Sequence, residues 1–248
     1  MTAAIVVAAS VIVEHAGPLV GALVVTLPVT LGPAFLFILI DHDVGYTTAS
    51  AITGLAVNSV SGLFMLLYIV LAQNKTLKVC LGLAIAAWVL MSQMILLHPW
   101  TLLEATLLIL VIYPVCILLS QKYQNIKIPK ISRKWYELPV RVFLVCLLMG
   151  FVIFLSHYGS PQVTGLLAVY PISTTCTILL IHSRFGGKAC AAVISYGLWG
   201  MLGIGLGLAA FAFTAPNYGK KMWILLVAVP VVWNWVIWIV KRKITAER

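Results

Sequence analysis

The chain has 248 residues, of which 62% are hydrophobic and only 9% are charged, and its mean hydropathy is +1.10. Soluble domains carry roughly 25% charged residues, so this composition excludes an ordinary soluble enzyme and indicates a polytopic membrane protein. The net charge of +10 does not indicate a nucleic-acid partner, because the basic residues lie between apolar runs and not on one face.

The apolar runs predict an all-α fold of about nine transmembrane helices, since about 18 apolar residues suffice to cross a bilayer. The predicted spans are 2–15, 18–40, 46–72, 78–97, 101–120, 138–157, 161–182, 189–214 and 222–240. The first span is short, because its residues at 1.5 Å each cover about 21 Å of a hydrocarbon core about 30 Å thick. The five cysteines have no metal-ligand spacing, so we expect neither a metal nor a cofactor.

The basic residues predict the orientation of these spans. The polar stretch 122–141 holds six of the 16 Lys and Arg residues, which places it in the cytoplasm by the positive-inside rule. Counting outward from this loop puts 14 of the 16 on the cytoplasmic side and leaves only Lys220 and Lys221 outside. The C-terminus is then cytoplasmic, and we expect the protein in the inner membrane of a bacterium.

Two halves of the sequence resemble each other at a constant offset of 143 residues, without gaps. Matches between Pro and Gly residues carry most weight, because each of these residues sets backbone geometry. They pair Pro18 with Pro161, Pro28 with Pro171, Gly54 with Gly197 and Gly62 with Gly205. The predicted units are residues 1–97, a linker helix with a basic loop at 98–137, and residues 138–248. Equivalent spans lie five apart, so the two four-helix repeats are inverted in the membrane, as in many secondary transporters.

One segment also resembles a known family. The run Gly165-Leu166-Leu167-Ala168-Val169-Tyr170-Pro171, with Gly197-Leu198-Trp199 after it, is similar to the GlpM-like family of small bacterial inner-membrane proteins; the first half shows the likeness at Gly21-Ala22-Leu23 through Pro28 and at Trp88. Members generally have one four-helix unit, so this chain looks like two units fused. Related sequences often have a basic residue after the first span, where this chain has Glu14-His15 and Ser156-His157. The resemblance implies a fold unit and no substrate.

Polar residues near mid-membrane are the candidates for a binding site. A proline inside a span removes a backbone hydrogen bond and kinks the helix, which frees carbonyl groups for a ligand. The predicted substrate-binding residues are Thr26, Pro28, Thr30, Asn58, Pro171, Ser173, Thr174 and Tyr196. Glu14 is a candidate for coupling to protons, because an ionisable group at membrane depth is functional by default. For each, packing or interfacial placement is the alternative interpretation.

The hypothesis favoured by these patterns is a secondary transporter or permease for a small solute or ion, working by alternating access between the repeats. One alternative is a lipid-active protein, such as a flippase for a carrier lipid. Another is a non-transporting subunit of a membrane complex. The expected partners are membrane lipids, a small-molecule or ion substrate, and a second copy of the chain in a homo-oligomer. No enzymatic residue set is expected, since no nucleophile, base and acid occur together.

Overall fold

The computed structural model describes residues 31–124 and 137–246, and within them the fold is all-helical. The nine helices of this part are α1 (Leu31–Asp41), α2 (Val44–Leu71), α3 (Leu77–Leu96), α4 (Leu102–Ser120), α5 (Glu137–Tyr158), α6 (Pro161–Ala168), α7 (Ile172–Phe185), α8 (Gly187–Tyr218) and α9 (Leu225–Ala246). Short 3-10 turns follow α4 at Gln121–Tyr123 and α8 at Gly219–Ile224.

The membrane class predicted from composition agrees with the helices. Five stretches of the described chain are long and apolar enough to cross a membrane: Val44–Leu71, Leu77–Leu96, Leu102–Tyr123, Pro161–Phe185 and Gly187–Val240. The last contains α8 and most of α9, which fold back on each other, as the 2.8 Å hydrogen bond from Trp233 Nε1 to the Trp199 carbonyl requires. The number nine stays a prediction, since span 2–15 and residues 18–30 of span 18–40 lie outside the described residues.

Local sequence signals set the helix ends. Asp43 caps α2 by accepting a 2.6 Å hydrogen bond from the Tyr46 amide. Thr101 and Glu104 form a capping box at the start of α4. Gly186 ends α7 with a φ of 82°, a conformation that glycine adopts without strain, and so allows the sharp turn into α8. These signals lie between the apolar runs, so the helix ends agree with the predicted ends to within a few residues.

The two longest helices, α2 and α8, pack side by side in opposite directions. At one end the last turn of α2 meets the first residue of α8, where a Cβ added to Gly187 would overlap the Ala72 carbonyl oxygen. At the other end Lys220, just after α8, donates a hydrogen bond to the carbonyl of Leu39, just before α2. This antiparallel pair is the centre of the fold, and α4 packs against both of its members.

The predicted span 161–182 is not one kinked helix, as its sequence suggested, but two helices. α6 ends at Ala168, and α7 begins at Ile172. Pro171 has a ψ of 55°, which is not helical, and its ring excludes the carbonyl that a continuous helix would place against it. The chain therefore breaks at Val169–Pro171, partway through a stretch long enough to cross the membrane.

Candidate functional site at the crossing of α2 and α8

A stripe of small and polar residues runs along one face of α2. Its members follow one another at intervals of three or four, which places them on one side of a helix. They are Thr47, Ser50, Gly54, Asn58 and Ser61, and all five are buried. Small residues let helix backbones approach closely in a membrane. Ser50, Gly54 and Asn58 of this stripe are where α6, the following break and α8 pack on α2.

The broken span packs on the first part of this stripe. A Cβ added to Gly165 would overlap the Ser50 carbonyl oxygen, so α6 lies with its backbone directly against α2. A Cβ added to Gly54 would lie 2.9 Å from Val169 Cγ2, at the break itself. The break is thus held one helical turn from Asn58.

Asn58 lies at the midpoint of α2, where this helix crosses α8. Its Nδ2 donates a 3.2 Å hydrogen bond to the carbonyl oxygen of Met201, near the midpoint of α8. Gly205, one turn further along α8, makes room for the amide, because a Cβ there would come within 2.8 Å of Nδ2. The side chain of Asn58 is fully buried between the two helices.

The other polar atom of the same amide is the oxygen Oδ1. Asn58 Oδ1 is buried and accepts no hydrogen bond within the described part of the chain. Leaving a buried acceptor without a partner costs about 1–3 kcal/mol. A bound cation or a hydrogen-bond donor on a ligand would remove this cost, so Oδ1 is the strongest indication of a ligand site at the centre of the fold.

Helix α4 packs against the crossing of α2 and α8 from a third side. Tyr113 is fully buried and donates a 2.9 Å hydrogen bond to the backbone carbonyl of Asn58. Ile109, one turn earlier, approaches Gly205 so closely that a Cβ on the glycine would meet it at 2.9 Å. Sequence reasoning missed both residues, since nothing in an apolar linker helix distinguishes a side chain that faces protein from one that faces lipid.

Two aromatic residues connect the break to α2. Tyr170 packs edge-on against Trp88 of α3, with ring centroids 5.0 Å apart. Trp88 in turn donates a 3.1 Å hydrogen bond from Nε1 to Ser61 Oγ on the stripe. Trp88 and Tyr170 lie in the segments of the two halves that resemble the GlpM-like family. This resemblance was the only feature of the sequence that could have indicated them.

Four of the other predicted site residues lie in the described part of the chain. Pro171 and Thr174 are buried at the break, and Ser173 is half-buried there. Tyr196 is half-buried on α8 and lies about 140° around the helix from Met201, at 100° per residue. The contacts described for Asn58 are with Met201 and Gly205 of α8 and Tyr113 of α4. A cavity shared by Asn58, Ser173 and Tyr196 stays a prediction. Thr26, Pro28, Thr30 and Glu14 lie outside the described residues.

Several hydroxyl groups near the break are satisfied within their own helix. Thr175 Oγ1 donates to the Pro171 carbonyl at 2.9 Å, and Thr177 Oγ1 donates to the Ser173 carbonyl at 2.8 Å. Such bonds to the preceding turn let a hydroxyl lie in an apolar environment without any ligand. Thr175 and Thr177 thus need no functional explanation, in contrast to Asn58.

Polar contacts also fasten the N-terminal end of α2 to the end of α5 and to α6. The Tyr46 hydroxyl lies 2.8 Å from Thr164 Oγ1 and donates to the carbonyls of Ser156 and Gly159, each at 3.1 Å. His42 stacks on the Tyr46 ring and lies 3.3 Å from Ser156 Oγ. The His42 imidazole is therefore half-buried against the end of α5.

The described residues contain no group of three or more His, Cys, Asp or Glu side chains that could hold a metal ion. Comparison of the chain with protein-family models, with curated proteins and with solved structures gives no match. The likeness to the GlpM-like family therefore remains a prediction from the residues that carry it.

Proposed function

We propose that this protein is a secondary transporter or permease for a small polar solute or ion, built from two inverted repeats. One observation carries the proposal: Asn58 and Met201, whose amide and carbonyl meet at the centre of the fold, are 143 residues apart. That separation is the offset at which the two halves of the sequence match.

Symmetry explains why this contact matters. Two repeats related by an axis in the membrane plane place equivalent helices in opposite directions, as α2 and α8 are. These helices begin at Val44 and Gly187, which are also 143 residues apart. Equivalent residues touch each other only where they lie close to the axis. The Asn58–Met201 contact is therefore where such an axis would pass, halfway along both helices.

The neighbouring helices support the same arrangement. Each long helix is followed by a helix that folds back on it, and a tryptophan ties each hairpin together: Trp88 donates to Ser61, and Trp233 donates to the Trp199 carbonyl. The linker helix α4 touches both long helices through Tyr113 and Ile109. This is the place that a helix joining two pseudo-symmetric halves would take.

The broken span supports transport rather than a purely structural role. Discontinuous helices near mid-membrane are typical of transporters, since the ends of the two half-helices present unpaired backbone groups to a substrate or an ion. Here the break at Val169–Pro171 packs against Gly54, one turn from the unsatisfied Oδ1 of Asn58. We propose that substrate binds between Asn58 and the break, and that Thr26, Pro28 and Thr30 supply the equivalent surface of the first repeat.

A second candidate is a non-transporting subunit of a membrane complex. The observation that favours it is the tight packing around the amide, where Gly205 and Ile109 leave no room for a Cβ. A transporter must open this contact in another conformation, whereas a subunit need not. The lipid-active alternative has no comparable observation in its favour.

The test is ligand-induced stabilisation of the purified protein. A thermal-shift screen against small metabolites, cations and lipid head-group analogues should find a ligand that raises Tm of the wild type. Asn58→Leu should abolish that shift and leave the protein folded, because leucine is similar in size and removes the unsatisfied oxygen. The matched control is Asn74→Leu, which makes the same change at an exposed site just after α2 and should keep the shift.

Uptake of the ligand into proteoliposomes then distinguishes transport from binding. A ligand that binds wild type and Asn58→Leu equally would exclude the central site. A ligand whose binding requires Asn58 but which is never taken up would favour the non-transporting subunit.

A further inference from the structure

The opposite end of α2 holds a second group of contacts, far from Asn58. The hydroxyl of Tyr68, in the last turn of α2, lies 2.8 Å from Nδ1 of His182, near the end of α7. Tyr68 is fully buried and His182 is half-buried. The first turn of α8 lies beside the same histidine, because a Cβ added to Gly187 would lie 3.1 Å from His182 Cε1, and Cys190 is buried in that turn. The ends of α2 and α7 and the start of α8 thus meet around His182.

We propose that His182 is a proton-binding site, and that its protonation releases α7 from α2. In the closed arrangement Tyr68 donates its O–H to Nδ1 of the neutral imidazole, which carries its proton on Nε2. This assignment uses the better donor as donor. The inference does not depend on a transported substrate and applies equally to a subunit.

Protonation adds a hydrogen to Nδ1, so both ring nitrogens become donors. The Tyr68 oxygen must then accept from Nδ1, and its own O–H must turn towards another acceptor. Within the described residues the Tyr68 hydroxyl bonds to His182 alone, so its O–H is then buried without an acceptor. The reversed bond is charge-assisted, but the half-buried ring must also carry a positive charge. An arrangement in which water reaches both groups is then favoured, and the contact between α2 and α7 loosens.

The titratable and charged groups around His182 determine how it responds to protonation. Tyr68 bonds to it from α2, Cys190 is buried in the first turn of α8, and Cys80 of α3 is buried near the end of α2, where its thiol contacts the Lys75 carbonyl. The last turn of α7 adds Arg184, and Lys188 follows in the first turn of α8. None of these groups is a carboxylate that could hold the imidazolium in place.

The fifth helix also contacts α7 and brings further titratable groups. Its described side chains include Cys146, which is exposed, and His157, which lies at its far end. The structure does not describe the side chains of Glu137 and Arg141, so a Glu137→Gln variant belongs among the controls.

Two measurements on the full-length protein in detergent micelles test the site. Nitrogen NMR of protein labelled at histidine should show His182, assigned by its loss in His182→Gln, as the Nε2–H tautomer at pH 8 and as imidazolium at pH 5. Hydrogen exchange of the amides in 179–186, divided by the intrinsic rate at each pH, should rise by about three- to tenfold over the same range, which is the effect of losing one hydrogen bond.

Variants separate this site from other pH effects. His182→Gln should remove the step in exchange between pH 8 and pH 5, while Tyr68→Phe should exchange faster at both pH values and show no step. Two matched controls should behave as wild type: His98→Gln, at an exposed histidine beside Glu104, and Glu137→Gln. The proposal is overturned if His182 carries its proton on Nδ1 at pH 8, or if the step persists in His182→Gln or disappears in Glu137→Gln. Should Tyr68→Phe fail to fold, the tautomer of His182 in the wild type still decides.

Discussion

Asn58 of α2 and Met201 of α8 meet where the two helices cross, with the amide Nδ2 3.2 Å from the carbonyl oxygen and 143 residues of chain between them. The same separation divides Val44 from Gly187, the first residues of the two helices. If the two halves are repeats, as we propose, a contact in one half should have a counterpart in the other. This gives testable consequences for residues that the structure does not describe.

The inverted repeat predicts a contact between Thr26 and Gly197. Val169 packs against Gly54 in the described residues, and an offset of 143 converts this pair into Thr26 and Gly197. In a variant without native cysteines, a Thr26→Cys and Gly197→Cys pair should form a disulfide as readily as a Gly54→Cys and Val169→Cys pair, since a disulfide requires Cα atoms within about 7 Å.

Mobility in gel electrophoresis with and without reductant measures this cross-link. Moving the second cysteine to Ser195, about 160° around α8, should prevent it. The repeat is excluded if the 54/169 pair cross-links while the 26/197 pair does not.

Close packing of α6 on α2 predicts that Gly165 tolerates no side chain. Gly165→Ala places a methyl group against the Ser50 carbonyl, and overpacking of this kind costs about 1–3 kcal/mol. The matched control is Gly82→Ala on α3, where a Cβ meets nothing within 4 Å. The control should leave the free energy of unfolding unchanged or raise it by up to about 1 kcal/mol, because alanine favours helix. Unfolding in mixed micelles measures both; equal stability of the two variants would contradict the packing described.

The Tyr46 hydroxyl should stabilise the end of α2 by more than an ordinary surface contact. Tyr46→Phe removes its contacts with Thr164, Ser156 and Gly159, and we expect a loss of about 1–3 kcal/mol in the free energy of unfolding. Tyr218→Phe makes the same change at an exposed position and should have no measurable effect. If the two variants unfold alike, the Tyr46 network contributes nothing to stability.

The distribution of basic residues predicts which ends of the helices face the cytoplasm. Single cysteines at Lys130 and Lys243, in a variant without native cysteines, should resist an impermeant thiol reagent in intact cells and react after lysis. A cysteine at Asp43 should react in both. Labelling of position 130 in sealed cells would contradict the predicted orientation and the expectation of a cytoplasmic C-terminus.

The sequence located the helices well because the signal for them is local. Predicted spans 46–72 and 101–120 correspond to Val44–Leu71 and Leu102–Ser120. An apolar run of this length forms a helix in a membrane whatever its neighbours are, since every backbone group must find a partner within its own segment. Asn58 could be predicted for a similar local reason, because an amide side chain within an apolar helix needs a hydrogen-bond partner.

The break at Pro171 shows where local information ends. A proline inside a span indicates that a helix is disturbed, but not whether it bends or stops. Here α6 lies so close to α2 that Gly165 touches the Ser50 backbone, and Val169 is held against Gly54. These contacts, formed over more than a hundred residues of separation, fix the chain in two pieces.

Sequence alone determined that the chain is helical, belongs in a membrane and carries a polar residue at the middle of α2. Only the tertiary structure decided which helices face protein: 72% of the most apolar stretch of Val44–Leu71 is buried, against 28% for Leu102–Tyr123. Lipid tails are as apolar as the interior of the protein, so hydropathy cannot separate the two environments. The partners of Asn58 on α4 and α8 were therefore hidden until the helices were placed together.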